Sequence, residues 1–223
     1  MASPLISAHR AGHDHDVTPD LLDAISAAVA LGVDLVEIDV RTRPDGTPAV
    51  GHDSVENSSP TMSDAIDRLG HTASLHLDLK EPDPAARIVG EAVAQLGPGR
   101  VIVTTAVDSD VPRILAWAET HAPTLLVGLS TSKRPTSHRA ASTIARISSW
   151  FPRARMRRSG ANLVVAHHIV ARWWLARWAA RRNLPLLVWT VDADADLQRW
   201  LHDPRATIVT TNRPARALQL RTK

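Results

Sequence analysis

The chain contains no cysteine and no tyrosine, and only one phenylalanine. Without cysteine, disulfides, thiolate metal ligands and cysteine nucleophiles are all excluded. No apolar run approaches the roughly 20 residues that a membrane-spanning helix needs. The first residues, MASPLISAHR, lack the basic segment followed by an apolar stretch that marks a signal peptide. The sequence therefore predicts a cytoplasmic location.

The composition is that of a folded domain with a small net charge. Of the 223 residues, 44% are hydrophobic and 22% are charged, whereas disordered chains are poor in apolar residues. The formal net charge of +3 predicts no nucleic-acid partner, since such domains usually present a concentrated basic face. Arginine is concentrated locally, which indicates either solvated surface or contact with an anionic membrane, at Arg153, Arg155, Arg157, Arg158, Arg172, Arg177, Arg181 and Arg182.

Short apolar runs alternate with helix-like segments along the chain. The candidate strands are Leu5–His9, Leu35–Val40, Ser74–Leu79, Arg100–Thr105, Thr124–Gly128, Ala161–Ala166, Pro185–Val191 and Thr207–Thr210. Candidate helices between them include Pro19–Leu31, Pro84–Leu96, Asp110–Thr120 and Ile169–Arg182. This alternation predicts an α/β protein with a parallel sheet, either open and doubly wound or closed into a barrel. Eight strands in a chain of this length favour a single (β/α)8 TIM barrel over residues 1–223.

Two segments have less regular patterns. Residues Ser130–Ser159 mix Ser, Thr, Arg and Pro with scattered apolar residues, and we expect one helix around Ala140–Trp150 followed by a basic loop. The next helix carries three tryptophans, and its arginines fall among them on a helical wheel. We therefore expect packing against the barrel for Trp173, Trp174 and Trp178, with interfacial membrane contact as the alternative.

Acidic residues lie on two neighbouring predicted strands. Glu37 and Asp39 share one face of the second strand because residues two apart on a strand point the same way. Asp78 lies near the end of the third strand, at the face where (β/α)8 barrels carry their active sites. Adjacent carboxylates repel unless a cation or proton joins them, and three of them suit Mg²⁺ or Ca²⁺. Alternatively, these acids are solvated strand ends that pair with Arg10, Arg41 or Lys80.

Two histidines accompany these carboxylates. His9 ends the first strand and precedes Arg10, and His52 ends a short extended piece after the second strand. Imidazole titrates near neutral pH, so both are candidates for acid–base catalysis. A purely structural role for either histidine is the alternative.

Four stretches of the sequence resemble glycerophosphodiester phosphodiesterases. They are ISAHR, LGVDLVEIDVRTRPDGTPAVGHD, LHLDLKEP and LPLLVWTVDADADLQRWLHDPRATIVTTNRP. The family pattern has His-Arg on the first strand, Glu-x-Asp-Val and Val-x-His-Asp around the second, and Glu-x-Lys on the third. It ends with Val-x-Trp-Thr-Val-Asn and Thr-Asp-x-Pro. The matching pieces occur in the family's order and cover about half of the chain.

The resemblance implies a role for each matching residue. His9 and His52 would form the acid–base pair, and Glu37, Asp39 and Asp78 would bind one divalent cation, Mg²⁺ or Ca²⁺. Phosphate would be bound by Arg10 and Lys80, while Trp189 would shape the wall of the substrate pocket.

The chain also departs from the family pattern. Asp78 stands where the family usually has glutamate, and Ala11 replaces the glycine after His-Arg. Asp192 and Asn212 replace the family's asparagine and aspartate. Thr-Pro-Asp-Leu at 18–21 replaces Pro-Glu-Asn-Thr, which leaves Asp20 as the nearest acid. The interval between Asp53 and Asp78 is too short for the small domain that many bacterial members insert there, so a more open pocket is expected.

Two histidine-containing segments have a functional and an ordinary interpretation. The run His13-Asp14-His15-Asp16 has the composition of a metal cluster, but we expect a solvated loop, because an ordinary loop can hold these side chains apart. His167 and His168 end the predicted sixth strand and would face opposite ways. One of the two would then line the pocket, or both would serve packing or the surface.

The resemblance implies metal-dependent hydrolysis of a glycerophosphodiester to an alcohol and glycerol 3-phosphate. The substrate would be a small or lipid-derived phosphodiester. One alternative is a lipid-directed relative, either a lysophospholipase D or a lyase similar to sphingomyelinase D. A second alternative is a non-catalytic barrel that binds anions through its arginines.

Overall fold

A computed structural model describes residues 3–12, 20–81, 85–131 and 152–222. Within these ranges, eight parallel strands close into a barrel because β1 pairs with both β2 and β9. A short ninth strand, β3, pairs antiparallel with the end of β2. The strands are β1 Leu5–Ala8, β2 Leu35–Thr42, β3 Pro48–Val50, β4 Ser74–Leu79, β5 Val101–Thr105, β6 Leu126–Thr131, β7 Leu163–His167, β8 Leu186–Trp189 and β9 Ile208–Thr211.

Helices follow the strands, as the (β/α)8 prediction requires. They are α1 Leu21–Ala30, α2 Met62–Leu69, α3 Ala85–Leu96, α4 Asp110–His121, α5 Pro152–Ser159, α6 His168–Val170, α7 Ala176–Ala180, α8 Asp194–Leu201 and α9 Pro214–Arg221. A π-helical segment, Ala171–Leu175, joins α6 to α7. Asp20 caps α1 by accepting a hydrogen bond from the Leu22 amide at 2.8 Å. The fold prediction is confirmed, whereas the assignment of residues 1–223 to one domain stays a prediction.

Some local predictions need correction. The basic loop expected before residue 160 is wrong, because Pro152–Ser159 forms α5. His168 does not end a strand: β7 stops at His167, and His168 begins α6. The helix expected around Ala140–Trp150 and the run from His13 to Asp16 lie outside the described residues.

Strand alternation separates two apolar layers. The outward-facing residues of β2, such as Val36 and Ile38, belong to the large core between barrel and helices. The inward-facing apolar residues form a second cluster: Leu35, Ile102, Leu163, Val165, Leu187 and Ile208. Gly128 also faces inward, and a Cβ there would lie 2.3 Å from Val165 Cγ2. Glycine is therefore required for the barrel interior to close at β6.

Above this apolar layer the barrel interior becomes polar on one side. Ser7, Glu37, His76, Thr104 and Thr210 are all buried. They lie on β1, β2, β4, β5 and β9, which are consecutive around the barrel. Because parallel strands end at the same edge, this arrangement concentrates polar groups beneath one side of the carboxyl-terminal face.

The tryptophan prediction is confirmed for two of the three residues. Trp174 and Trp178 pack against the main core, and each lies under a guanidinium group, that of Arg153 at 4.1 Å and that of Arg182 at 5.1 Å. Trp173 is instead 79% exposed, so its predicted packing is wrong. In the described ranges, no helix is long and apolar enough to cross a membrane. Peripheral contact with an anionic membrane stays a prediction.

Candidate active site

A cavity of about 510 Å³ lies over the carboxyl ends of the strands. It falls within the usual size range of small-molecule sites. Of the eight predicted site residues, all described, seven line it: His9, Arg10, Glu37, His52, Asp78, Lys80 and Trp189. Asp39 is the exception, but it contacts the lining residues Arg10 and Lys80. Neither His167 nor His168 is among the described residues that line the cavity.

The three predicted metal ligands converge. Glu37, Asp39 and Asp78 each offer one carboxylate oxygen, and these atoms lie within 4.8 Å of one another. The sheet register causes this convergence, because Asp39 pairs directly with Asp78 across β2 and β4. Burial raises the pKa of Glu37 well above its ordinary value, and the charges of Asp39 and Asp78 add to the rise. Such a site gains stability from a cation or from a proton.

Two side-chain cations already contact this cluster. Arg10 Nε lies 3.0 Å from Asp39 Oδ2, and Lys80 Nζ lies 2.6 Å from Asp39 Oδ1. Lys80 also contacts Asp78. Burial by itself would raise the pKa of Asp39, but the charges of Lys80 and Arg10 outweigh it and hold that pKa low. The ion-pair alternative is therefore realised for Arg10 and Lys80, whereas Arg41 pairs with Glu81 at 3.1 Å.

Asp39 nevertheless keeps coordinating capacity. Neither of its buried oxygens makes a well-aligned hydrogen bond within the described ranges, despite the nearby cations. Three anionic oxygen donors, two of them on nearly inaccessible side chains, fit a hard divalent ion. The divalent ion, the three carboxylates, Arg10 and Lys80 would together carry one net positive charge. That charge complements the single negative charge of a phosphodiester.

A left-handed turn places His9 and Arg10. Arg10 and Ala11 have φ values of 47° and 59°, a conformation that is costly for residues other than glycine. The turn directs the Arg10 amide to donate to Glu37 Oε2 at 2.7 Å. Gly12 continues it at φ 80°, where a Cβ would lie 2.6 Å from Pro214 Cγ. The backbone strain is thus tied to a buried carboxylate of the site.

His9 is held from the other end of the chain. Its Nδ1 lies 2.7 Å from Asn212 Oδ1. The Asn212 side-chain amide donates to Asp192 Oδ2 at 2.8 Å, and its backbone amide donates to Asp192 Oδ1 at 2.9 Å. Burial lowers the pKa of His9, with Arg10 and Lys80 adding to that effect against the opposing hydrogen bond of Asn212. His9 is therefore a neutral imidazole at neutral pH.

His52 has a different environment. Its side chain is 44% exposed, and its Nδ1 lies 2.6 Å from Asp53 Oδ1. Arg41 Nε donates to the His52 carbonyl oxygen at 2.8 Å, which ties the loop after β3 to β2. His52 thus has a carboxylate at Nδ1 and access to solvent, whereas His9 is held by the Asn212 amide oxygen. The two histidines are thus chemically distinct.

Besides its contact with Lys80, Asp78 is held by a hydrogen-bond network that the sequence did not reveal. Buried His76 lies 3.0 Å from Ser7 Oγ through Nδ1 and 3.1 Å from Thr104 Oγ1 through Nε2. Thr104 donates its single hydroxyl proton to Asp78 Oδ1 at 2.5 Å. His76 Nε2 must then be the donor to Thr104, and Ser7 donates to Nδ1. Burial lowers the pKa of His76 to about 3, which is consistent with this neutral tautomer.

Arg155 is the other residue that the sequence did not predict in the site. It extends from α5, and its side chain is 11% exposed. Its Nε lies 3.1 Å from Asp108 Oδ1, and its Nη2 donates to the Ala106 carbonyl at 3.3 Å. Among the described lining residues that come after Lys80 in the sequence, Arg155 alone is charged. The arginine-rich composition of 153–158 was the available signal, but a loop had been expected there.

Comparison with solved structures agrees with the resemblance at the level of the fold. A glycerophosphodiester phosphodiesterase from Agrobacterium tumefaciens has a TM-score of 0.74 at 17% identity, covering 99% of this chain and 100% of that one. The enzyme from Parabacteroides distasonis has a TM-score of 0.74 at 15% identity, with 99% and 97% covered. An Oleispira antarctica phosphodiesterase, solved with the product sn-glycerol-3-phosphate, has a TM-score of 0.71 at 16% identity, with 99% and 98% covered.

These identities establish the fold of the chain. No protein-family model matches it, and no curated protein is similar to it.

Proposed function

We propose that this protein is a phosphoric diester hydrolase that cleaves glycerophosphodiesters to an alcohol and glycerol 3-phosphate. The observation that carries the proposal is the convergence, at one cavity, of His9 and His52 with the cluster of three carboxylates and its two cations, Asp39 lying just behind the lining. The product bound to the Oleispira antarctica phosphodiesterase is consistent with this substrate class. Location in the cytoplasm stays a prediction from the sequence.

Glu37, Asp39 and Asp78 would hold one divalent ion, Mg²⁺ or Ca²⁺. When bound, such an ion offsets negative charge on phosphoryl oxygens and orients the glycerol end of the substrate. Arg10 and Lys80 adjoin the same carboxylates. They would bind the phosphate as charge-assisted donors.

The different environments of the two histidines support one order for the proton transfers. Neutral His9 accepts the proton of the attacking oxygen at Nε2, since Nδ1 is engaged by Asn212. The attacker is water or the adjacent hydroxyl of the glycerol, and the second case gives a cyclic phosphate that water then opens. As the bond from phosphorus to the alcohol oxygen breaks, protonated His52 donates a proton to that oxygen.

The direct test is hydrolysis of sn-glycero-3-phosphoethanolamine with and without EDTA. Release of glycerol 3-phosphate that EDTA abolishes supports the proposal, and ³¹P NMR shows whether a cyclic phosphate forms. Ethanolamine phosphate as the product would show that the other phosphoester bond is cleaved. No hydrolysis of this or other glycerophosphodiesters in Mg²⁺ or Ca²⁺ would refute the function.

Lys80→Met is expected to impair both activity and stability. Lys80 contacts two carboxylates, and burying them without it is costly. For this partly accessible pair we expect a loss of about 2 kcal/mol, below the 3–5 kcal/mol of fully buried pairs. Thermal melting in EDTA and kcat/KM measure the two effects. Arg68→Met, which breaks the surface pair with Asp23 outside the cavity lining, is the comparison, and an equal loss of kcat/KM there would contradict phosphate binding by Lys80.

We infer that the alcohol lies on the side of the cavity next to β5–β8, where Arg155, although paired with Asp108, would favour a leaving group with an anionic end. Val165, Leu187 and the Trp189 ring form an apolar wall, and Trp189 Nε1 is buried without a hydrogen-bond partner in the described ranges. Arg155 has its Nε and Nη2 engaged, while Nη1 makes no hydrogen bond to a described residue. Asp53, the acid near the opposite rim, is 93% exposed and therefore strongly screened.

Arg155→Met should lower the preference for an anionic alcohol. Glycerophosphoserine and glycerophosphoethanolamine differ only by one carboxylate, so the ratio of their kcat/KM values measures the effect of that carboxylate. We expect a ratio above one in the wild type and a fall of about tenfold or more in Arg155→Met, the scale of one charge-assisted hydrogen bond. Arg157→Met, at an exposed position of the same helix, should leave the ratio unchanged. A wild-type preference for ethanolamine would disprove the assignment.

A further inference from the structure

Asp192 and Asn212, which stand where the family pattern has asparagine and aspartate, form a hydrogen-bonded series with His9. In this chain the neutral amide of Asn212 contacts His9 Nδ1 at 2.7 Å. The carboxylate of Asp192 lies behind it and accepts both the side-chain and the backbone N–H of Asn212. The two residues therefore keep an acid and an amide in contact, but they place the amide next to the imidazole.

Asp192, Asn212 and His9 form a hydrogen-bonded series, and the carboxylate at one end determines the direction of each hydrogen bond. A carboxylate can only accept, so the Asn212 Nδ2 must face Asp192 and its Oδ1 must face His9. Oδ1 can only accept in turn, so His9 Nδ1 must carry a proton. In a neutral imidazole Nε2 is then the unprotonated nitrogen, and no described residue occupies it. Thr211 Oγ1 lies 3.1 Å from Asp192 Oδ1 and further restrains the carboxylate.

We propose that Asp192 and Asn212 are positioning residues that keep His9 in the Nδ1-protonated tautomer with Nε2 free to act as the base. The inference rests on the proposed function for its catalytic consequence, but the tautomer itself is a property of the free protein. An amide holds the ring without placing a negative charge against it. His9 consequently stays unprotonated to lower pH than a histidine that contacts a carboxylate directly.

The surroundings of His9 agree with this arrangement. The charged groups that face it are Arg10 and Lys80, which disfavour the imidazolium, and Asp39, which favours it. Buried His76 is neutral and adds no charge. Asp192 does not contact the ring, because Asn212 lies between them. The carboxylate of Asp39, which also acts on His9, is paired with Arg10 and Lys80.

Three variants separate orientation from charge. Asp192→Asn removes the acceptor that fixes the Asn212 amide, so the amide can turn and His9 can adopt the other tautomer. We expect kcat to fall by about 10²-fold or more with KM little changed, as for other histidines left in the wrong tautomer. The double variant Asp192→Asn, Asn212→Asp restores a fixed acceptor for Nδ1. It should recover activity. The acidic limb of the pH profile of kcat/KM should shift to higher pH by about one unit or more, because a carboxylate next to His9 favours the imidazolium.

Asp194→Asn is the matched control. Asp194 lies two residues away and pairs with Arg213 and Arg216 at the surface, so its loss should leave kcat and the pH profile unchanged. If Asp192 and Asn212 only stabilised the fold, Asp192→Asn would lower the melting temperature, and the double variant would not recover activity. Equal pH profiles for the wild type and the double variant would overturn the proposal.

NMR of ¹⁵N-labelled histidine provides a readout that needs no turnover. We expect His9 in the wild type to show a protonated Nδ1 and an unprotonated Nε2, and its titration midpoint to rise in the double variant. The Nε2-protonated tautomer in the wild type would refute the proposal. If the protein hydrolyses no glycerophosphodiester, the proposed function fails while this measurement still decides the tautomer.

Discussion

Replacing His9 or His52 by alanine is expected to lower kcat by at least about 10²-fold, the usual contribution of a general acid or base. The two variants should differ in their pH dependence. Loss of His9 removes the base that gains activity as pH rises, whereas loss of His52 removes the proton donor that fails at high pH. Steady-state kinetics across pH 5–9, a range of about two units on each side of neutrality, measures both effects.

The control for these variants is His71→Ala, which removes an exposed histidine outside the cavity lining. His71→Ala should retain wild-type kcat. His9→Ala also loses the hydrogen bond to Asn212, which costs about 1 kcal/mol of folding free energy. Near-normal kcat in His9→Ala or His52→Ala with unchanged thermal melting would remove that residue from the mechanism.

Chelation of divalent metal is expected to abolish hydrolysis, and Mg²⁺, Ca²⁺ or Mn²⁺ should stabilise the protein. Glu37, Asp39 and Asp78 repel one another in the empty cluster, and a bound cation relieves that repulsion. A ligand at a hundredfold excess over its Kd stabilises the folded state by about 2.7 kcal/mol. Melting temperatures with EDTA and with each ion, together with calorimetric titration, measure the gain.

Glu37→Gln gives the second half of this test. The pKa of Glu37 is raised in the folded state, so between its unfolded and folded pKa values the folded protein binds more protons. Its stability therefore falls as pH rises through that window. In EDTA above pH of about 5, Glu37→Gln should melt at or above the wild type, and the difference should vanish below the unfolded pKa of about 4.3. The amide oxygen can still accept from the Arg10 amide.

With a divalent ion present, Glu37→Gln should lose both the ion-dependent stabilisation and the activity. Glu91→Gln, at an acid that pairs with Arg87 on α3, should keep both. If no divalent ion shifts the wild-type melting curve and EDTA leaves hydrolysis intact, the metal assignment fails. The carboxylates would then serve only as partners of Arg10 and Lys80.

Much of the site could be predicted because its residues lie near one another in sequence or at strand ends. The alternation of β2 predicted that Glu37 and Asp39 share a face, and their convergence with Asp78 follows from the parallel register. His52 was also predictable, since it follows the short hairpin strand β3. These features depend on a period of two residues and on parallel strand order, which local sequence carries.

Contacts across the barrel were not predictable in this way. His76 lies within β4, and only its contact with the neighbouring strand shows that it supports Thr104 and Asp78. Arg155 was expected in a loop, because the run from 153 to 158 has almost no apolar periodicity. Its helix forms over β6, where tertiary contacts outweigh local propensity. Trp173 was expected to pack, but the π-helical segment 171–175 leaves it exposed.

By itself, the sequence determined the strand alternation, the eight-stranded barrel and the identity of seven groups that line the cavity. Each of these follows from residue periodicity and from the order of strands along the chain. Only the tertiary structure decided what those groups do to one another. It joined His9 to Asn212 at opposite ends of the chain, and it placed Lys80 against two carboxylates. Protonation and tautomer depend on such contacts because electrostatic energies are set by distance and burial, and closure of the barrel fixes both.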